Sequence, residues 1–360
     1  MAGRTAVGLD IGTSGVRAAE LAFGKGPATL QRFGQVALPV GAVRDGEVAD
    51  PQLVADAIKH LWSTAKFSSK RVVLGVANQK VIVRQVDLPW MPSDELRKSL
   101  PLQVQDFIPI PVEQAILDFH AIEEVQDGAG SRALRVLLVA AARDMVQGAL
   151  EAVKKAGLTP VQVDLTPFAV LRSLGRVDEV GAATSGSNGG AEALVDVGAK
   201  VTNIVIHQNG IPRFVRILLM GGDNITDAVS ERLGVPFEQA VGVKQQLGMA
   251  PVRGEVTSDH PAARVIESSA GSFVEEVRGS LDYYLAQAAS VPLHRVVLSG
   301  GGARLAGLGQ RLAAATRLPV EPGAATAALR VGKTGLSADQ LSYVEPQIAV
   351  PVGLAMGVAS

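Results

Sequence analysis

Apolar and polar positions alternate in two regimes along the chain, short strand-like runs and longer helical ones. Residues 5–38 predict a meander of three strands, Thr5–Ile11, Val16–Phe23 and Ala28–Leu38, with Gly24-Lys25-Gly26-Pro27 as a turn. Asp50 then offers an N-cap and Pro51 a first helical position, and Leu53, Val54, Ala57, Ile58, Leu61 and Trp62 recur at helical spacing. Strands are expected over Arg71–Val76 and Val81–Leu88. A helix capped by Ser93 follows and must break near Pro101 or Pro109. Two further strands, Ala115–Glu123 and Leu134–Ala141, flank the polar turn Gln126–Ser131, and a helix from Arg143 to Ala156 stops at Gly157. Strand, helix, strand, strand, helix over about 80–160 reads as a small α+β unit inserted into a larger lobe.

Thr159–Asp164 reads as a strand and Thr166–Leu174 as a helix. The run 178–191 is small, polar and glycine-rich, and predicts a flexible loop between lobes. A second meander follows, with Asn209-Gly210 as a hairpin signal. Gly221-Gly222-Asp223-Asn224 starts a helix, and 226–290 is mostly helical around a loop at Met249–Asp259. Strand Arg295–Ser299, the turn Gly300-Gly301-Gly302, helix Ala303–Thr316, strand Val320-Glu321 and a helix near Pro346–Val358 complete the pattern. This divides the chain into a first lobe over 1–177 that contains the insert, the loop 178–191, a second lobe over 192–340, and a C-terminal helix over 341–360 that returns to the first lobe.

Both meanders carry the same loop. Asp10-Ile11-Gly12-Thr13-Ser14 and Asp196-Val197-Gly198-Ala199-Lys200 each join an apolar strand to a second strand through Asp-x-Gly. Gly12 and Gly198 permit a tight turn or close approach of a ligand. The N–H groups of such a turn form a concave nest for phosphate oxygens, to which Thr13 and Ser14 add hydroxyls. Asp10 and Asp196 repel phosphate but suit Mg²⁺ held through its waters. One copy alone reads as a plain hairpin with Asp and Gly as turn formers. Two matched copies favour two lobes facing each other across a nucleotide.

Composition narrows the chemistry. The 360 residues are too many for one ordinary core, and 47% hydrophobic content predicts a folded globular protein. A net charge of −1 gives no electrostatic case for nucleic acid. The absence of cysteine excludes disulfides, thiolate nucleophiles and cysteine zinc sites. The five histidines show no metal spacing. No run is long enough to span a bilayer, and Met1–Thr5 leads straight into a strand without a signal peptide. A cytoplasmic protein is therefore expected, with no direct membrane insertion.

The stretch Leu298-Ser299-Gly300-Gly301-Gly302-Ala303-Arg304-Leu305 supplies a third loop, a strand running through a glycine turn into a helix. It departs from a dinucleotide fingerprint because Leu305 stands where the last glycine belongs, and Gly332-Lys333-Thr334 lacks the upstream glycine of a P-loop, having Ala327 instead. Three such loops in this order resemble the actin-like (ribonuclease H-like) ATPase superfamily, which implies an α/β, two-lobed fold. The chain is similar over nearly its whole length to one branch, the PilM-type pilus-assembly proteins, through Gly8–Ser14, Val81–Pro89, Phe107–Glu113, Asp196–Gly198, Gly221–Thr226 and Glu276–Tyr284.

The resemblance implies a cytoplasmic ATP-binding protein, with Mg²⁺, that docks the N-terminal cytoplasmic peptide of a PilN-like inner-membrane protein and links it to the pilus motor ATPases, with self-association open. The inserted unit is then the SHS2-type subdomain shared with FtsA-type division proteins. It implies nucleotide contacts from Gly12, Thr13, Ser14, Arg17, Gly198, Thr202, Gly221, Gly222, Lys244, Gly300, Gly301, Gly302 and Arg304, and metal contacts from Asp10 and Asp196. By motif position Asp164 orients water, or else caps the Thr166 helix. Val81, Ile82, Val83, Phe107 and Ile108 are expected near the partner groove, the other reading being core residues. Two positions depart from the pattern. Arg17 stands where a lysine is usual, and its planar fork is not equivalent to an ammonium. Val241 stands where a ribose-contacting glutamate is usual in Ala240-Val241-Gly242-Val243-Lys244, and Lys244 itself reads equally as a solvated helix lysine.

Two other functions fit parts of the pattern. FtsA-type proteins end in an amphipathic membrane helix after a linker, whereas Val352–Ser360 has no basic face. A small-molecule kinase of the same superfamily leaves Val81–Pro89 and Phe107–Glu113 unexplained.

Overall fold

The computed structural model describes residues 4–126, 130–175, 190–249, 260–287 and 290–358. The loops expected over 178–191 and 249–259 lie, apart from their end residues, outside this set, as does the centre of the 126–131 turn. The first lobe opens with an antiparallel meander, β1 (Arg4–Ile11), β2 (Gly15–Phe23) and β3 (Thr29–Ala37). A two-residue hairpin, β4 (Val43–Arg44) and β5 (Glu47–Val48), precedes α1 (Pro51–Ala65). Asp50 caps α1 as expected, its Oδ1 accepting from the amides of Gln52 (2.9 Å) and Leu53 (3.1 Å). Strand β6 (Arg71–Val76) then lies parallel to β1.

The inserted unit comprises β7 (Val81–Pro89), α2 (Ser93–Gln103), β8 (Ala115–Gln126), β9 (Arg132–Ala142) and α3 (Arg143–Lys155), with strands ordered β7-β9-β8. Its own core packs Leu96, Leu100 and Val104 of the α2 segment on Val136 and Leu138 of β9. Ser93 is the first helical residue rather than the cap, and α2 runs two residues past Pro101. The chain rejoins the first sheet as β10 (Thr159–Leu165), parallel to β6, and continues into α4 (Thr166–Leu174).

The second lobe repeats the plan. Its strands are β11 (Ala191–Val197), β12 (Thr202–Gln208), β13 (Ile211–Leu218), β14 (Leu293–Ser299) and β15 (Val320–Pro322), ordered β13-β12-β11-β14-β15. The first sheet has the same order, β3-β2-β1-β6-β10, extended at its β3 edge by β16 (Arg330–Val331). Asn209 and Gly210 both take positive φ, 52° and 79°, as a tight hairpin turn requires. Helices α5 (Gly222–Leu233), α6 (Phe237–Leu247), α7 (Pro261–Leu285) and α8 (Leu308–Thr316) complete this lobe.

Three expectations need correction here. Residues 330–331 belong to the first sheet, so the return to the first lobe comes earlier than residue 341. The helix expected over Ala303–Thr316 is split into a 3-10 turn at Gly301–Arg304 and α8, because Gly307 adopts φ 86° between them. The final helix, α9 (Ala338–Met356), begins well before Pro346. Ser337 and Gln340 form a capping box, and the helix passes through Pro346 and Pro351.

Packing explains why those prolines are tolerated. A core shared by both lobes holds α4 and α9 between the sheets, with Leu21 and Leu30 from the first and Leu194 and Val205 from the second around Ile348, Val352 and Leu354. Two more cores lie on the outer faces, one under α1 and α3 and one under α5 to α8. The insert also reaches the second lobe. β7 and β8 pass beside β13, where Arg213 meets Glu123 at 3.3 Å; Glu123 also meets Arg135 at 3.3 Å, and Arg135 pairs with Asp87 at 2.8 Å.

Candidate functional site

The two Asp-x-Gly hairpins are superposable in register. In the first, Asp10 pairs with Arg17 across the strands and the Gly12 amide donates to Gly15 O at 3.0 Å. In the second, Asp196 pairs with Asn203 and the Gly198 amide donates to Val201 O at 2.9 Å. Both turns face a cavity of about 550 Å³ between the lobes, within the range of small-molecule sites. Asp10, Gly12, Thr13, Ser14, Arg17, Asp196, Gly198, Gly222, Lys244, Gly300, Gly301, Gly302 and Arg304 all line it.

The remaining residues of the predicted set lie elsewhere. Thr202 is fully buried and its hydroxyl donates to Met220 O at 2.7 Å. Its strand neighbour Asn203 faces the cavity instead, because successive side chains on β12 point to opposite faces. Gly221 packs on the second loop, where a Cβ would stand 2.5 Å from Gly198 O. Asp164 is not among the residues lining the cavity; it is ion-paired with Arg172 and accepts from the Leu165 amide at 2.8 Å. Of the groove residues, Val81 and Ile108 are buried in the chain's own cores, whereas Ile82 and Val83 are half-buried and Phe107 is exposed.

Burial sets the electrostatics. It pushes the Asp196 carboxyl up to about 6, against a 2.9 Å hydrogen bond from Ser299 Oγ, while the nearby charge of Asp10 pushes the same way. Burial likewise raises the Asp10 carboxyl, opposed by Arg17, whose Nη1 lies 3.5 Å from Asp10 Oδ2. Two under-solvated carboxylates close together form a site that a divalent cation would relieve. Among the described residues no cluster of three or more potential metal ligands occurs, so such a cation would rely on water and phosphate for its other ligands. Burial lowers the pKa of Lys244, whose ammonium donates to Gly222 O at 2.8 Å and Thr226 Oγ1 at 2.7 Å.

Three buried polar atoms at the cavity wall have no partner: Arg17 Nε, Asn203 Oδ1 and Gln347 Oε1. An unpaired buried polar atom is costly, and three around one cavity fit a polar ligand. The third loop is shaped for loop-on-loop packing. Gly300 has φ 88°, and a Cβ on Gly302 would stand 2.6 Å from Val197 Cγ1. Sequence reasoning missed Asn203, Gln347 and the α3 wall residues Met145 and Ala149. Strand alternation from Asp196 would have found Asn203; no local signal marks the others.

Comparison with known proteins agrees with this geometry. A family model described as type IV pilus assembly protein PilM matches residues 8–358. A solved PilM–PilN type IV pilus biogenesis complex aligns with a TM-score of 0.83 and 28% identity, covering 99% of this chain and 98% of that one. MreB5 of Spiroplasma citri bound to ADP aligns at TM-score 0.50 and 13% identity, covering 99% of each chain, which bears on the fold alone. Cell division protein FtsA of Bacillus subtilis is 25% identical over 268 residues, 68% of this chain but only 58% of that protein's length. The fold is actin-like. Among the described residues no helix is long and apolar enough to cross a membrane.

Proposed function

The chain belongs to the PilM family of type IV pilus assembly proteins, and from that premise we propose that it binds ATP with Mg²⁺ between its lobes and docks the cytoplasmic tail of a PilN-like membrane protein. The observation that carries the nucleotide half is the pair of register-matched Asp-x-Gly hairpins facing one cavity that holds three unpartnered polar atoms. Backbone N–H groups and hydroxyls of Thr13 and Ser14 would take phosphate oxygens, Gly12 closing the turn beneath them through its bond to Gly15 O, with Arg17 beside them. Asp10 and Asp196 would hold the cation, which when bound neutralises phosphate charge. Calorimetric titration with ATP, with and without Mg²⁺, tests this; absence of heat and of competition against a fluorescent ATP analogue would refute it.

The partner half is supported by the inserted unit's surface. Trp90, Leu102, Phe107 and Ile116 are large apolar side chains exposed there, with half-buried Ile82 and Val83 on the same unit. Exposed apolar side chains on this small subdomain support a docking face there, and Phe107 is the one placed beside the β7 segment that carries Ile82 and Val83. Phe107 lies beside Arg84, whose Nη1 donates to Phe107 O at 3.4 Å. Phe107→Glu should weaken binding of the tail peptide at least about tenfold, the loss of one apolar anchor. ATP affinity, measured in parallel, should stay within about twofold. Peptide affinity equal to the parent's would move the docking face elsewhere. Linkage of the docked tail to the assembly motor is part of the same reading and is tested by co-purification of the motor ATPase with the PilN-bound protein.

A further inference from the structure

The two sheets share one plan, yet their ends away from the cavity differ in charge. In the first lobe β1, β3, β6, β10 and β16 all run in one direction, and they start at the end opposite Asp10 and the cavity. Helices α1 and α3 lead into β6 and β10, so their C-termini lie at that end too. The chain there, residues 24–28, 66–71, 154–159 and 328–331, carries lysine and arginine but no aspartate or glutamate. Lys25, Lys66, Lys70, Arg71, Lys154 and Arg330 are exposed, and none of the six has an ion-pair partner among the described residues. The segments adjoin: the Thr159 amide donates to Lys70 O at 2.8 Å, and Arg330 Nη2 lies 3.0 Å from where a Cβ on Gly26 would stand. Glu20 and Glu151, which border this end, are already paired, Glu20 with Arg32 at 3.0 Å and Glu151 with Lys155 at 2.9 Å. The corresponding end of the second sheet is balanced, since Arg295 at the start of β14 pairs with Glu192 of β11 and, at 3.1 Å, with Glu321 of β15. Complementing a helix dipole accounts for Lys66 and Lys154, but not for the four cations in loops and at strand starts.

Unpaired charge spread over four segments matches an extended array of anions rather than one phosphate. Neighbouring strands stand about 5 Å apart, so the row from β10 to β16 is roughly 25 Å wide. Lysines predominate, and their compact, flexible charges suit diffuse attraction more than the bidentate grip of a single phosphate. Among the described residues the exposed aromatic side chains, Trp90, Phe107, Tyr283 and Tyr343, all lie elsewhere, so this end offers no platform for stacking bases. Resting on the reading above that the chain holds a membrane protein's tail, we infer that this end of the first lobe is a direct contact surface for anionic phospholipid, with the nucleotide cavity turned away from the bilayer. Each cation held near an anionic leaflet contributes about fivefold in affinity. The surface thus adds to the tail's hold as the second of two attachments.

Co-sedimentation of the full chain with vesicles, in the absence of tail peptide, tests the inference. Vesicles with about one-third phosphatidylglycerol in phosphatidylcholine should carry the chain down at about 0.1 M salt, and about 0.5 M salt should release it. Phosphatidylcholine alone should leave it in solution. Lys25→Glu with Lys70→Glu, two exposed loop positions, should raise the lipid concentration for half-binding at least about tenfold. Lys66→Gln with Lys154→Gln, at the helix ends of the same surface, should raise it at least about fivefold. Arg232→Glu with Arg264→Glu, on exposed positions of α5 and α7, lowers the net charge as much as the first pair and should match the parent. Thermal unfolding midpoints establish that each variant is folded. Equal losses in the first and last pairs overturn the inference, because total charge and not position would then decide. Equal sedimentation with neutral vesicles overturns it, as does tighter binding to a single-stranded oligonucleotide than to anionic vesicles. Phe107→Glu should bind anionic vesicles like the parent. A chain that takes anionic vesicles but no tail peptide supports this surface and refutes the partner reading; one that takes the peptide but no vesicles refutes this surface alone.

Discussion

An Asp10→Asn chain is expected to bind MgATP at least about 100-fold more weakly than the parent, and to bind ATP in the presence of a chelator about as well as the parent does. The first half follows from burial. The Asp10 carboxyl is held above its ordinary pKa by loss of solvent, and the single compensating cation, Arg17, sits at a long 3.5 Å. A divalent ion supplies the charge that water and Arg17 do not. Removing one of two carboxylates from such a site costs about 2.7 kcal/mol for a 100-fold loss. The second half follows from charge. Without a cation, a carboxylate beside phosphates is repulsive, so neutralising it costs nothing and slightly favours the nucleotide. Asparagine keeps the shape of the side chain and its place opposite Arg17 on β2. Affinities measured at fixed free Mg²⁺ and in chelator decide the matter. Equal losses in both conditions would mean that Asp10 acts only by holding Arg17, and the cation assignment would fall.

Local signals in the sequence were accurate where local physics decides the structure. Asp50 before Pro51 marks the start of α1, and Asn209-Gly210 marks a hairpin, because capping and positive φ are properties of the residues themselves. The repeated Asp-x-Gly loop identifies the cleft for the same reason. Errors arise where distant packing decides. Val81 and Ile108 carry the apolar character expected of a groove, yet the core of the first lobe and that of the insert absorb them. Thr202 and Asn203 are a parity error: once Asp196 is placed toward the ligand, its cross-strand partner must share that face. Gln347 has no local signature, since only the third loop, about 46 residues upstream, turns its amide into part of a wall.

The same Gly→Ala change should have opposite signs at two helical glycines. Gly279, in α7, has nothing near the position a Cβ would take, and alanine there should stabilise the protein by about 0.5–1 kcal/mol through helix propensity. Gly353, in α9, has α4 pressed against it: a Cβ would overlap Ala169 O and stand 2.9 Å from Ala169 Cα. Both are backbone atoms, so no rotamer change relieves the clash. Retreat is blocked on the other side. Ala355, two residues on and therefore on the opposite helix face, lies against Gly8 of β1, where a Cβ would stand 2.7 Å from Ala355 N. The helix is clamped between a strand and a helix by one glycine on each side. Gly353→Ala must spread that sandwich, and with it the shared core around Ile348, Val352 and Leu354. Overpacking of this kind costs about 1–3 kcal/mol and more where backbone is involved, so a net loss of about 3 kcal/mol is expected after the propensity gain. Thermal and denaturant unfolding of the unliganded chains give the comparison. A Gly353→Ala protein within about 0.5 kcal/mol of the parent would show that α9 does not lie wedged between β1 and α4.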